Sequence, residues 1–467
     1  MSSSFLSSNE VFEWLSNFIN LERGQKPKSF RIDRMHALTE LAGNPQKCAP
    51  SIHIAGSKGK GSVTSMISAI LTAAGYRTAR YMSPHVTDIR ERICLGDSFF
   101  DEDIYCKAGD ELRIITDERL PTAIKSQPAA ALLFDTSVQD GCEPTFWELL
   151  TLLFFLCARH AKCDVMVVET GMGGRLDSTN VLDPLVSVIT LIELEHTNFL
   201  GNSIAEVAGE KAGIIKKNKP LVLAKQCDEA LEVFKNKAQE MNSALYYFPD
   251  TSLLSEIKIT KTGTEFNIKN NFLGALVPLH EPLFLPIPGK VQAENAAAAI
   301  TAINIFSQKI SHQGTKAPRI SESSIYNGLK NLKIPARFEN IGKTLPFIID
   351  GAHTPESFDL CVETFCSLYG KDSVLIFGCA ADKDASSMAR IAHSHFAKII
   401  ITTPGTFKAS DPAKVYEAFV QFAGKEKVSL VPDTQEAVKQ AQEFSLPILG
   451  TGSFYLAAEI RKIVVLG

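Results

Sequence analysis

The chain has 467 residues, too many for one ordinary hydrophobic core, so we expect two or three domains. Its 45% hydrophobic and 21% charged residues are typical of a globular protein and exclude a disordered chain. A net charge of -4 provides no general attraction for nucleic acid or anionic membranes, so we expect small-molecule partners.

The ten cysteines include no C-x-x-C pair, so the sequence predicts neither a zinc site nor a disulfide framework. The N-terminal segment predicts an amphipathic helix and lacks the pattern of an export signal. The most apolar segment, 146–158, contains Glu148 and is shorter than the roughly 20 residues of a membrane span. We therefore expect a cytoplasmic monomer without membrane or nucleic-acid partners.

A glycine-rich stretch, GSKGKGS at 56–62, follows a short apolar strand pattern and precedes an apolar helix pattern. This order predicts a phosphate-binding loop, because glycines let backbone N–H groups approach an anion and a helix N-terminus attracts it. We expect Lys60 to contact phosphate and Ser62 to be a Mg²⁺ ligand. Ile54 stands where G-x-x-x-x-G-K-[ST] has its first glycine, so a glycine turn used only for close packing is the alternative.

Polar residues also follow three further predicted strands, at 77–82, 163–168 and 186–191. They are Ser83 with the charged run 88–92, Glu169 with a glycine-rich loop, and Glu195 with His196. Parallel strands place their carboxyl ends at one edge of a sheet, where ligands bind. A carboxylate beside a nucleotide phosphate predicts Mg²⁺, which takes one or two protein oxygens together with phosphate and water.

Simpler interpretations of these strand ends remain open. The charged run 88–92 is then a solvated connection, and His196 is structural. Arg175 and Asp177 then form an ion pair within their own loop.

Three later stretches indicate the domain organisation. Residues 120–142 have weak periodicity and predict a surface insertion, and short alternating runs over 252–285, with turns at 262–263 and 270–271, predict a small antiparallel addition. Beyond Pro335, strand and helix patterns alternate regularly, which predicts a second doubly wound domain. We expect an ATP-binding domain over 1–332, a linker at 333–337 and a C-terminal domain over 338–467.

With these motifs placed, the chain resembles the folylpolyglutamate synthase/dihydrofolate synthase family within the Mur-ligase group of ATP-dependent amide-forming enzymes. The resemblance covers nearly the whole chain and is carried by motifs in family order: GSKGKGS, SPHV with RERI at 83–93, TFWE at 145–148, ETGMGGRLDSTN at 169–180, H with LG at 196–201, EKAGI at 210–214 and DGAHT at 350–354. It implies an α/β fold: a P-loop-type Mur-ligase ATPase domain with a small antiparallel addition, then a doubly wound, Rossmann-like glutamate-ligase domain.

The resemblance also implies cofactors and site residues. It implies catalytic roles for Lys60, a carbamylated Lys211 and His353. It implies two Mg²⁺ ions held by Ser62, Ser83, Glu169 and His196. It implies ATP contacts from Gly56, Ser57, Lys58, Gly59, Lys60, Gly61, Ser62, Gln292, Asn295, Arg337 and Asp350.

Four positions depart from the family pattern: Glu195 replaces Asp, Val291 replaces His, Ala336 replaces Gly and Thr354 replaces Asn. The expected activity is ATP-dependent addition of L-glutamate to dihydropteroate or a reduced folate through an acyl phosphate. The alternatives are a related ligase acting on a nucleotide-linked acid and a non-catalytic ATP-binding module.

Overall fold

The computed structural model describes residues 4–20, 31–134, 143–247, 254–268, 279–311, 318–405 and 409–466. Within these ranges the strands form sheets of eight, three and six strands. The predicted α/β architecture, with a small antiparallel addition and a second, mostly parallel sheet, is confirmed.

The first sheet contains eight strands: β1 (Ser51–Ala55), β2 (Thr78–Tyr81), β3 (Ile93–Leu95), β4 (Ser98–Phe99), β5 (Val165–Glu169), β6 (Val186–Ile189), β7 (Leu221–Leu223) and β8 (Leu245–Tyr247). Their order is β4-β3-β2-β5-β1-β6-β7-β8. The pairs β2–β3 and β3–β4 are antiparallel and the others are parallel. Strands β1, β5 and β6 are buried throughout, as expected for parallel strands covered on both faces.

Helices cover this sheet and pack on one another around it: α1 (Ser8–Leu15), α2 (Ile32–Leu41), α3 (Lys60–Ala73), α4 (Glu102–Ile114), α5 (Leu120–Ser126), α6 (Pro128–Phe134), α7 (Phe146–His160), α8 (Thr197–Leu200), α9 (Ile204–Ala212), α10 (Asp228–Glu240), α11 (Lys290–Ser311) and α12 (Glu322–Lys330). The helix α3 packs against α11 and α12, which holds the start of α11 beside the start of α3. Shorter helical turns lie at Ile89–Arg92 and Ser178–Val181.

The prediction of a surface insertion at 120–142 was wrong in its described part. This segment forms α5 and α6, and Leu120, Leu133 and Phe134 are buried in the hydrophobic core that contains α4 and α7. The runs of alanine and leucine favour helix, but each helix has only seven residues, too short to show a clear period. Residues 135–142 lie outside the described ranges.

The small antiparallel sheet consists of β9 (Leu254–Thr260), β10 (Gly263–Ile268) and β11 (Leu283–Leu285). It has the order β11-β10-β9, and the predicted turn at 262–263 joins its first two strands. The predicted turn at 270–271 falls outside the described residues.

The C-terminal domain alternates strand and helix, as predicted. Its sheet has the order β12-β13-β17-β14-β15-β16, built from β12 (Glu339–Asn340), β13 (Phe347–Ile349), β14 (Val374–Phe377), β15 (Lys398–Ile401), β16 (Val428–Leu430) and β17 (Ile448–Thr451). Only β12 pairs antiparallel. The helices are α13 (Pro355–Tyr369), α14 (Ala385–Ala392), α15 (Pro412–Ala423), α16 (Thr434–Glu443) and α17 (Phe454–Arg461).

Two further expectations concern the whole chain. The cysteines that the structure describes are all free thiols. No described helix combines the length and the apolar character needed to cross a membrane.

Candidate active site between the two sheets

The phosphate loop, residues 56–62, joins β1 to α3 at the carboxyl edge of the first sheet. Gly56 has a φ of 147°, and a β-carbon there would lie 1.9 Å from the Thr190 hydroxyl oxygen. Gly59 has a φ of 86°, and a β-carbon there would lie 2.5 Å from the Asn295 side-chain oxygen. Both positions therefore require glycine, and the loop leads into a helix N-terminus, which attracts anions.

Lys60 lies within this loop. Its Nζ donates to the carbonyl oxygens of Gly56 at 2.7 Å and Ser57 at 3.4 Å. Both acceptors are neutral, and no described carboxylate forms an ion pair with Lys60, so its charge can neutralise a phosphate group.

Lys211 reaches the same loop from α9. Its Nζ donates to the Gly56 carbonyl at 2.8 Å and to the Glu195 carboxylate at 2.7 Å, and its side chain is 1% exposed. Burial lowers the pKa of Lys211, although the attraction of Glu195 opposes this shift. Despite burial, Lys60 and Lys211 hold the pKa of Glu195 well below its ordinary value. Glu195, which the sequence analysis named as a strand-end residue and as a departure but gave no role, is therefore the counter-ion of Lys211.

Glu169 ends β5 and is 3% exposed. Its Oε2 accepts from the Ser83 N–H at 3.4 Å, and a β-carbon at Gly61 would lie 3.6 Å from the same oxygen. Burial raises the pKa of Glu169 to about 7, against the attraction of Lys60 and Arg337. The structure thus brings Glu169, Ser83 and the phosphate loop together at one edge of the sheet.

The other two predicted Mg²⁺ ligands are less closely joined to this group. Ser62 is buried in the first turn of α3, next to Gly61. His196 precedes α8; although part of its side chain is exposed, surrounding protein lowers its pKa to about 4, so the imidazole is neutral. No hydrogen bond in the described structure joins His196 to Glu169 or Ser83. The described residues also contain no cluster of three or more His, Cys, Asp or Glu side chains that could hold a metal ion. The four-residue Mg²⁺ set stays a prediction.

Arg337 connects the two sheets electrostatically. Its guanidinium lies 4.2 Å from the centre of the Phe454 ring, a cation–π contact that joins the predicted linker to the C-terminal domain. Burial lowers the pKa of Arg337, while Asp350 of the C-terminal domain and Glu169 of the first sheet both attract its charge. The charge of the predicted nucleotide residue is therefore attracted by the predicted metal carboxylate.

Asp350 and His353 follow β13 on the same side of the C-terminal domain. The two Asp350 oxygens accept from the backbone N–H groups of Phe338 and Ala352, each at 2.8 Å. The His353 Nδ1 lies 2.9 Å from the Gly351 carbonyl, which only accepts, so Nδ1 carries the proton. Burial and the charge of Lys58 lower the pKa of His353 to about 3, which leaves Nε2 as a free lone pair.

Gln292 and Asn295 lie at the start of α11. The Asn295 amide donates to the Gln292 side-chain oxygen at 3.3 Å, and Asn295 packs against Gly59 of the phosphate loop. Val291, which replaces a histidine of the family pattern, precedes them and is half-buried. The structure thus brings the predicted adenine-side residues to the phosphate loop through Asn295.

Two side chains that the sequence analysis did not assign to the site lie beside Gly171, two residues beyond Glu169, and a third contacts one of them. A β-carbon at Gly171 would lie 3.4 Å from an Asp177 carboxylate oxygen and 4.0 Å from the Trp147 ring. The Arg92 guanidinium lies 5.0 Å from the centre of that ring. The motifs RERI, TFWE and GRLDSTN contained these residues, but nothing local in the sequence showed that they meet.

The structure bears on two of the simpler interpretations. Arg175 pairs with Glu210 at 2.8 Å and not with Asp177, so the suggested ion pair within the loop is wrong. The charged run 88–92 is ordered, because the Glu91 carboxylate accepts from the backbone N–H groups of Val86, Thr87 and Asp88 at 2.6 to 3.1 Å.

Two protein families match the chain. Residues 136–303 match the Mur ligase middle domain, and residues 336–447 match the Mur ligase glutamate ligase domain. A dihydrofolate synthase/folylpolyglutamate synthase of Bacillus subtilis is 29% identical, over 98% of this chain and 99% of the relative. A folylpolyglutamate synthase of Lacticaseibacillus casei is 30% identical, over 93% of this chain and 94% of the relative.

Solved structures agree over the full length. A Mycobacterium tuberculosis folylpolyglutamate synthase, complexed with ADP and AMPPCP, superposes with a TM-score of 0.81 at 27% identity and 98% coverage of both chains. A folylpolyglutamate synthase complex with AMPPCP and folate superposes with a TM-score of 0.80 at 25% identity, over 99% of this chain and 100% of the other.

Proposed function

The chain belongs to the folylpolyglutamate synthase/dihydrofolate synthase family of Mur ligases, and we propose that it joins L-glutamate to dihydropteroate, to a reduced folate or to both, using ATP. It is an ATP-dependent acid–amino-acid ligase. One observation carries the site assignment: the buried Glu169 carboxylate lies beside Gly61 of the phosphate loop and is attracted both by Lys60 and by Arg337, at the start of the C-terminal half. This is the arrangement expected where phosphoryl transfer occurs between two domains.

In the proposed reaction, the carboxylate of the acid attacks the γ-phosphate of ATP and ADP leaves. The amine of glutamate then attacks the carbonyl carbon of the acyl phosphate, and inorganic phosphate leaves as the amide forms. Lys60 neutralises charge on the transferring phosphoryl group, and Arg337 of the linker and His353 of the C-terminal domain approach it from the other side. Contact between the domains excludes water, which would otherwise hydrolyse the acyl phosphate.

The donor atoms around Glu169 fit Mg²⁺. A single buried carboxylate whose pKa is raised lacks a full counter-charge, and Mg²⁺ takes few protein oxygens because phosphate and water complete its shell. Ser62, Ser83, Glu169 and His196 would hold one or two ions. Bound Mg²⁺ would neutralise the phosphates of ATP.

We place the ring system of the acid between Trp147, Arg92 and Asp177. An aromatic face suits a planar heterocycle, and a carboxylate accepts hydrogen bonds from ring N–H groups. This region adjoins Glu169 through Gly171, so the carboxyl end of the acid can reach the phosphate loop.

We also propose carbamylation of Lys211, in which Nζ adds carbon dioxide and loses one proton. The lowered pKa favours the neutral amine that this addition requires. The resulting anion would face Glu195, now 2.7 Å from Nζ, so it fits only with a cation between them or with Glu195 turned away. Mass spectrometry of the native protein should show an adduct of about 44 daltons on Lys211, which is the mass of carbon dioxide, and acid should remove it. An unmodified lysine in active enzyme would refute this assignment.

ADP release tests the function as a whole. We expect release with dihydropteroate or tetrahydrofolate that rises when glutamate is present, and amide product equal to the ADP formed. A uridine-nucleotide peptide should not replace the acid. Stimulation by that peptide alone would identify a cell-wall-type ligase, and ATP binding without turnover by any acid would identify a non-catalytic module.

A further inference from the structure

A line of three side chains runs from the core strand β1 to the loop that carries Asp177. His53 of β1 and Thr179 are both fully buried, and the His53 Nε2 lies 2.8 Å from the Thr179 hydroxyl oxygen. The Thr179 hydroxyl oxygen lies 2.5 Å from Asp177 Oδ1, and the Thr179 backbone N–H donates to the same oxygen at 3.0 Å. The other Asp177 oxygen accepts from the Met172 N–H at 2.9 Å.

The direction of these hydrogen bonds follows from their partners. An ionised carboxylate only accepts, so the single hydroxyl proton of Thr179 goes to Asp177. The Thr179 oxygen then accepts from His53, and His53 Nε2 must carry the imidazole proton. Its Nδ1 is buried and has no hydrogen-bond partner among the described residues, which agrees with a neutral ring protonated at Nε2.

Nothing in the phosphate loop uses this histidine, although it lies three residues before Gly56. A strand position that needed only an apolar filling would not leave an imidazole nitrogen buried without a partner, because such a group costs free energy. We therefore expect His53 to act through its side-chain hydrogen bond to Thr179, which in turn contacts Asp177.

We propose that His53 is a positioning residue for the acid substrate, which fixes the Thr179 hydroxyl so that Asp177 presents its carboxylate beside Gly171 and Trp147. This inference rests on the proposed function, because it takes Asp177 as a contact of the acid. His53 itself does not touch the substrate. Because the His53 N–H donates to the Thr179 oxygen, the Thr179 hydroxyl proton can point only toward Asp177. The His53–Thr179 and Thr179–Asp177 hydrogen bonds then strengthen each other.

Matched substitutions test the line. His53→Leu and Thr179→Val each remove one bond at similar volume, whereas His53→Gln keeps an N–H donor and Thr179→Ser keeps the hydroxyl. We expect the two removals to raise the KM for the acid by about tenfold, the effect of one well-placed hydrogen bond. The KM values for ATP and glutamate should change by less than about twofold, and the conservative variants should recover most of the loss.

Binding is measured without turnover. The chain has two tryptophans, so in a Trp14→Phe background the acid should quench the fluorescence of Trp147 alone. The dissociation constant should follow the KM in each variant, and the double variant His53→Leu/Thr179→Val should bind no worse than either single one. Thr301→Val is the control, because that buried hydroxyl donates only to the Ala297 carbonyl of its own helix.

The tautomer is read from ¹⁵N-histidine NMR of the wild-type protein. We expect an imidazole signal that is protonated only at Nε2 between about pH 6 and pH 8, is absent in His53→Gln and shifts in Thr179→Val. Its absence in His53→Gln assigns it to His53, because His85, whose Nδ1 accepts from Arg92 Nε at 2.8 Å, has the same tautomer. A bare Nε2, a rise in all three KM values together, or no recovery in His53→Gln and Thr179→Ser would overturn the proposal. If His53→Leu does not fold, the Thr179 variants and the NMR signature decide. Wild-type enzyme that releases no ADP with any pteroate or folate refutes the proposed function instead, since the NMR measurement needs no turnover.

Discussion

At the scale of single residues, the site holds a carboxylate in a position that costs stability. Glu169 is 3% exposed, and burial raises its pKa from 4.5 in the unfolded chain to about 7 in the folded protein. The folded protein therefore holds this proton more tightly, so stability from Glu169 is full below about pH 4.5 and declines as pH rises through about 7. Buried carboxylates whose pKa is raised in this way are typical of functional sites.

Glu169→Gln should therefore stabilise the protein while abolishing ligation. We expect the free energy of unfolding in metal-free buffer to rise by on the order of 3 kcal/mol at about pH 8, and by nothing at about pH 4.5. Thermal denaturation across this pH range measures it, and ADP release should fall to background. Asp164→Asn is the control, because that side chain is exposed and an asparagine oxygen can still accept from the Arg77 N–H. A variant less stable than wild type at high pH would show that Glu169 already has its full counter-charge.

At the scale of elements, the sequence predicts the loops and strands that depend on local pattern. It does not predict which residues distant in the sequence contact each other. The phosphate loop and the strands β13 and β14 follow from glycine spacing and apolar runs. The two-residue strands β4 and β12 are too short to leave a pattern. The residues of the pairs Lys211–Glu195 and His53–Thr179 are separated by 16 and 126 positions, and the second pair meets because β1 lies between β5 and β6 in the sheet.

The TFWE motif illustrates the difference between a signature and a site. Thr145 caps α7, and Glu148 accepts from the Thr145 N–H at 2.8 Å while forming a buried ion pair with Arg34 of α2 at 2.9 Å. Two residues of the motif therefore fix the start of α7, and this start holds Trp147 beside Gly171.

Arg34→Met should accordingly lower the free energy of unfolding by about 3 kcal/mol or more, because it leaves the Glu148 charge buried without its partner. Arg34→Met/Glu148→Gln should recover part of this loss, as chemical denaturation would show. Arg31→Met is the matched control: its pair with Asp33 is exposed, so less than about 1 kcal/mol is expected. Equal losses in the two arginine variants would contradict a special role for the buried pair.

At the scale of the whole molecule, one segment connects the metal side of the first sheet to the C-terminal domain. Ser83 donates its backbone N–H to Glu169, and three residues later Val86 packs in the hydrophobic core of the C-terminal domain. Thr87 accepts a hydrogen bond from Arg461 Nη1 at 3.2 Å, while Arg461 Nε is held by Glu339. The position of the second domain over the phosphate loop is thus tied to the residues beside the proposed metal site.

Weakening this connection should separate ATP hydrolysis from amide formation while the enzyme still releases ADP. Thr87→Val removes the hydrogen bond between domains, worth about 1 kcal/mol, so the ratio of closed to open molecules should fall by up to about fivefold. Water then reaches the acyl phosphate, and the ratio of ADP released to glutamate joined should rise from about one toward two. Thr122→Val, which removes an exposed hydroxyl that donates to the Glu118 carbonyl just before α5, should leave the ratio at one. An unchanged ratio in Thr87→Val would mean that the apolar packing around Val86 alone keeps the domains together, because the hydrogen bond would then add nothing to closure.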